Sequence, residues 1–208
     1  VKTGPSSSKD LDLDGSRGEL LEVSGNLDID VFGFFQVSGG FAFVKSEAMV
    51  PVFLDEVTSD VSVELLTIGA RDANAFAGVG GTLGLDLVDV DLALILAQEK
   101  SAGARQWTTL EATVGSASFI GVDGLTLSGD TLAVTINQAA ADSSLLDFSD
   151  APLAVVNGPD SIFTVSVDGS RGELLEVSGN LDIDVFGFFQ VSGGFALSKS
   201  TGTITLSD

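Results

Sequence analysis

From Leu21 to Phe43 every odd position is apolar or glycine: Leu21, Val23, Gly25, Leu27, Ile29, Val31, Gly33, Phe35, Val37, Gly39, Phe41 and Phe43. The even positions carry Glu22, Ser24, Asn26, Asp28, Asp30, Gln36 and Ser38. A helix would scatter the apolar set around its axis, whereas an extended chain puts it on one face, so the pattern predicts β-structure. Strands commonly run about 5–6 residues, which predicts a bend or turn at Gly25, Gly33 or Gly39-Gly40. Phe32 and Phe34 break the polar face and imply either burial on both sides or an exposed apolar patch. Farther on, Leu83, Leu85 and Leu87 alternate in one phase, and Val88, Val90, Leu92, Leu94 and Leu96 in the other. The slip predicts a β-bulge near Leu87-Val88. Leu125–Leu127 and Leu132–Ile136 flank Ser128-Gly129-Asp130 and read as a hairpin. Segments 92–104 and 138–146 are the helix candidates, both short.

The same alternation returns later in the chain. Residues 14–42 recur letter for letter at 168–196, an offset of 168 − 14 = 154 positions. The chain therefore divides into one repeat, residues 1–154, and the first part of the next, residues 155–208. A fainter likeness between Phe76–Gly81 and Phe119–Gly124, with Leu20–Gly25 fitting less well, predicts about three diverged β subunits per repeat. One-sided strands must bury that face against another layer, and repeats in series do so along an axis. The expected fold is all-β: an elongated β-solenoid or a continuous stack of β-arches built from tandem repeats, with a β-sandwich or β-prism as the alternative.

Composition narrows the function. The 208 residues carry 30 acidic and 9 basic side chains, a formal net charge of −21. That charge repels phosphate backbones, so nucleic acid is not an expected partner. At 44% hydrophobic, the chain is too apolar for a disordered acidic tail. It contains no cysteine, histidine or tyrosine and a single tryptophan, Trp107. Thiolate catalysis, cysteine-ligated zinc and histidine general bases are thereby excluded. No apolar run reaches the length of a transmembrane helix.

The aspartates are the candidate chemistry. Asp10, Asp12 and Asp14 before Gly15 resemble the opening of a calcium loop, whose alternate carboxylates gather hard oxygens on one side. The closing glutamate is absent, because position 21 is Leu21, and the second copy reads Thr164-Val165-Ser166-Val167-Asp168-Gly169. The competing reading is a strand with outward aspartates. Asp28 with Asp30, and Asp89 with Asp91, share a strand face. Stacked strands would bring such pairs together, and a cation such as calcium would relieve the repulsion. A solvated acidic face is the simpler reading. Gly80–Asp86 resembles the glycine-aspartate nonapeptide of calcium-binding β-rolls but reads equally as a turn entering a strand. Gly15-Ser16-Arg17-Gly18-Glu19, repeated at 169–173, reads as a turn with a local ion pair rather than an adhesive loop. Phe32, Phe34, Phe35, Phe41 and Phe43, with Trp107, read as core. No residues form a catalytic constellation, so an enzyme is not expected, and no cofactor is called for beyond calcium.

The exact duplication and the phrase SGNLDIDVFGFFQVSGGFAF resemble the long tandem arrays of giant bacterial secreted or surface proteins. The resemblance implies an extracellular or cell-surface location and a structural or adhesive repeat within an extended rod, stalk or filament. Its implied partners are neighbouring repeats of the same chain, other copies in a fibre, or a cell-surface ligand. Two other readings stand beside it: a calcium- or carbohydrate-binding β module, and a membrane-associated or lipid-binding β structure.

Overall fold

The computed structural model of the chain describes residues 1–8, 10, 15, 18–101 and 104–201. It is all-β. Eight long strands lie side by side in chain order as one antiparallel meander. They are β1 (Leu20–Val31), β2 (Phe35–Leu54), β3 (Val57–Val79), β4 (Leu83–Glu99), β5 (Gln106–Ile120), β6 (Leu125–Gln138), β10 (Glu173–Val185) and β11 (Phe189–Thr201). Between β6 and β10 the chain crosses the sheet through β7 (Leu145–Leu146), β8 (Leu153–Gly158), β9 (Ser161–Val165) and a 3-10 turn at Gly169–Arg171.

Tight turns set this topology. At the first hairpin, Phe32 and Gly33 both have positive φ, 51° and 68°, and the Phe34 N–H donates to the Val31 carbonyl at 2.9 Å. Asp55-Glu56 and Gly80-Gly81 turn the next two hairpins with the same pair of positive angles. Such turns match the right-handed twist of the strands and force the neighbour to run antiparallel. For that reason the strands form a flat-wise meander and not the coils of a solenoid or the arches of a β-arch stack within these residues. The six long strands of the first repeat form five consecutive antiparallel pairs. Gly81 and Gly124 lie in turns at one end of the sheet, whereas Gly25 lies within β1.

One face is apolar from end to end. Register places Val23, Phe43, Ile68, Leu94, Leu110, Ile136 and Leu175 in one row across the sheet. Val31, Phe35, Ala77, Leu85, Phe119, Leu127 and Ile183 make a second row on that face. Between the rows, β3, β4 and β6 carry residues with positive φ at Asp72, Asp89 and Thr131. Each is a bulge that shifts the alternation by one and keeps the leucines and valines on their face. The slip expected near Leu87-Val88 is thus the bulge at Asp89. Ser128-Gly129-Asp130 is a bulge site inside β6, not the turn of a hairpin, because cross-strand pairing with β5 continues on both sides of it.

The opposite face is divided. Toward the β2–β3 turn it is covered by the crossover; Val50, Val52, Val63, Leu65, Ile95 and Trp107 pack there with Leu146, Phe148, Val155, Val165 and Val167. β7 pairs with β2 and also touches β5 and β6, so the sheet curls around the crossover. Apolar residues on both faces, one under the crossover and one left open, explain the continuous apolar run of β4. Leu92 and Leu94 serve one face, Ala93, Ile95 and Ala97 the other, and the expected helix over 92–104 is instead strand over Leu92–Glu99. The second helix candidate is the end of β6, a turn and β7. The hairpin β8–β9 approaches so closely that a Cβ at Gly69 would stand 2.3 Å from Asn157 Cα. The Asn157 side-chain amide donates to the Ala70 carbonyl and pins it.

Candidate functional site

The described aspartates of the candidate set serve turns and bulges. Asp30 Oδ1 accepts from the Gly33 N–H at 2.7 Å, and its Oδ2 accepts from the Gln36 side-chain amide at 3.1 Å. Asp184 makes the same two bonds to Gly187 and Gln190, both at 2.7 Å. In each copy the carboxylate clamps the turn that follows it. Asp91 Oδ1 accepts from the Asp72 N–H at 2.9 Å, and the Asp89 N–H donates to Asn74 Oδ1. Both organise bulges. Asp28 lines a shallow depression of about 280 Å³ with Asp30, Asp86, Gln36 and Asn74. Asp10 is exposed, and Asp12 and Asp14 lie outside the described residues. Among the described residues no three acidic groups are placed to hold a metal ion.

The acids that the structure uses most are others. Asp147 sits in the crossover and accepts from Thr58 Oγ1 at 2.8 Å, Ser149 Oγ at 2.7 Å and the Gly169 N–H at 3.3 Å. Burial raises its pKa, but the bonds from Ser149, Thr58 and Gly169 outweigh it and hold the carboxyl below its ordinary value. Asp130 is also held low, through the amide of Asn180 at 2.7 Å and the Thr131 hydroxyl at 2.9 Å. Burial alone pushes Glu111 up against one bond from the Ser166 N–H. In sequence Asp147 is marked only by Ser149 two residues on, a short Asx-type pattern too common to single out.

The turn at 169–173 carries the expected ion pair: Arg171 reaches Glu176 with two bonds of 2.6 and 2.9 Å. Asp168 caps it by accepting from the Ser170 N–H. Trp107 is buried as expected; its indole N–H reaches the Ser144 carbonyl and hydroxyl, each at 3.1 Å. Arg105 lies over the ring at 5.1 Å and bridges Glu99 and Asp142.

The phenylalanines depart from the core reading. Phe32 is 92% exposed, Phe34, Phe35 and Phe43 are also exposed, and Phe41 packs in the small cluster around Ala70, Ala73 and Val90. The exposure follows from the fold, since the crossover covers only the opposite face. A groove of about 430 Å³ opens among Phe43, Leu66, Leu96 and Thr108, with Lys45 paired to Glu64 at its rim. Its walls are mainly apolar, with Gln98 and Gln106 also lining it.

What the duplication does build is a pair of equivalent sheet margins. β1–β2 and β10–β11 pair in the same register, Leu20 opposite Ser46 and Leu174 opposite Ser200. They stand at the two ends of the strand order. No known family matches the chain, and neither does a curated protein or a solved structure. No helix among the described residues is long and apolar enough to cross a membrane.

Proposed function

We propose that the chain is a structural tandem repeat that builds an extended extracellular rod, stalk or filament, the framework of a bacterial surface or adhesive protein. One observation carries the reading: the second copy is built into the body of the first. Val155, Val165 and Val167, which follow the repeat boundary in sequence, lie in the core with Val52, Val63 and Ile95. β10 then pairs with β6 over its whole length. Successive copies joined through a shared core and a shared sheet have no swivel between them, which is what a stiff spacer requires.

Small-angle scattering on arrays of one, two and three copies tests this reading. The maximum dimension is expected to grow in equal steps. Growth as the square root of copy number, as for beads on flexible linkers, would contradict it.

A further inference from the structure

β1 and β10 are the same twelve residues in two situations, Leu20–Val31 and Leu174–Val185. β10 has β11 on one edge and β6 on the other; β1 has β2 on one edge, and no strand among the described residues on the other. The difference shows in the side chains. Leu21 and Val23 are 54% and 59% exposed, whereas their equivalents Leu175 and Val177 are partly buried. The open edge contains no proline, lysine or arginine; its charges are the acids Glu22, Asp28 and Asp30, whose equivalents in β10 do not prevent pairing with β6.

The features that dock β10 are present on β1 as well. Asn180 donates to Asp130 on β6 at 2.7 Å, and the Phe186 N–H donates to the Gly124 carbonyl at 2.6 Å, its ring against that glycine. Asn26 and Phe32 hold the same positions on the open edge, and the Phe32 ring projects into solvent. The N-terminal residues continue the equivalence. The Lys2–Ser8 bridge matches the Val156–Ile162 pairing of β8–β9, 154 positions on. The first residues are thus shaped as the hairpin that would lie on a preceding sheet.

We infer that the open edge of β1 is a docking edge for the sixth strand of another copy of this 154-residue repeat. The register is that of β6 on β10: Leu20 opposite residue 137 and Val31 opposite residue 125 of the partner copy. Asn26 bonds the partner's Asp130, and Phe32 seats on its Gly124. The outer edge of β11, equivalent to β2, correspondingly takes a third strand. The product is one uninterrupted antiparallel sheet with six strands per repeat. The inference rests on the reading of the chain as a tandem repeat and specifies how consecutive repeats join.

The chain has no cysteine, so engineered pairs report pairing cleanly. The probe is an array with one further repeat placed ahead of the full chain, carrying Ala133→Cys in the leading copy and Ser24→Cys in the following one. The reference is Ala133→Cys with Ser178→Cys in the chain itself, residues that stand opposite each other. Mild oxidation is expected to close both pairs to a similar extent, while Ala133→Cys with Glu22→Cys, two residues out of register, closes at least tenfold less. Closure of the reference pair without closure in the array overturns the inference, as does equal closure of the out-of-register pair. An array that lengthens in equal steps without the disulfide leaves the rod standing and removes this junction. A disulfide in an array that fails to lengthen removes the rod and keeps the junction.

Discussion

Asp30 shows what the acidic residues do one by one. A carboxylate beside a tight turn accepts from the turn's own N–H groups, and this use needs no cation. Asp30→Ala is expected to cost about 1–2 kcal/mol, because it frees the Gly33 N–H and the Gln36 amide, whereas Asp30→Asn keeps an acceptor and costs less. Urea unfolding checks both, with calcium and with EDTA; the cost is expected to be the same in each. Phe32 is the converse case. Its φ of 51° strains a bulky residue, and its ring has no cover in this chain. Phe32→Asn is expected to stabilise the chain by about 1 kcal/mol, while Phe186→Asn, which gives up the contact with Gly124, gains less or loses. Asp147 adds a pH dependence. Its pKa is lowered on folding, so its contribution is complete above the ordinary carboxylate value and is lost as pH falls through the lowered one. Asp147→Asn is expected to flatten the acid limb of the stability curve measured by thermal unfolding between about pH 5 and 2.

At the scale of elements, much was legible before the fold was known. Alternation from Leu21 to Phe43 marked β1 and β2, and the phase slip after Leu87 marked a bulge. The turn at Phe32-Gly33 was one of three glycine positions open to choice, and alternation alone did not choose, because the apolar face runs through all of them unbroken. The misreadings share a cause. Ala93, Ile95 and Ala97 face the crossover while Leu92 and Leu94 lie on the uncovered apolar face, and apolar residues on both faces erase the period that separates strand from helix. Likewise Ser128-Gly129-Asp130 has turn composition but sits between two paired strands, where tertiary pairing overrides local preference. The crossover hairpin was invisible because its partner, Gly69, is 88 positions from Asn157. Gly69→Val is expected to lift β8–β9 from the sheet and destabilise by about 3 kcal/mol or more. Hydrogen exchange is expected to show the loss of protection confined first to 153–165.

At the scale of the molecule, the duplication is the feature that the sequence displayed most plainly and whose consequence it concealed. Identical letters at 14–42 and 168–196 announced a repeat but gave no sign that both copies share one sheet. That depends on pairings such as Val177 with Val134 and Ile183 with Leu127, which no local pattern encodes. The site was legible to a smaller degree: alternation placed Asp28 and Asp30 on one strand face, but what Asp30 and Asp91 bond to, a turn N–H with a glutamine amide and a bulge N–H, is fixed by turns and bulges.

The most direct measurement is the length added per repeat, read by electron microscopy on arrays of increasing copy number. Six strands at about 4.8 Å each predict an increment of about 29 Å, without gaps along the axis. Separate globular domains of this size would be roughly 38 Å across before any linker, so an increment of that size or larger, with visible breaks, would contradict a continuous sheet.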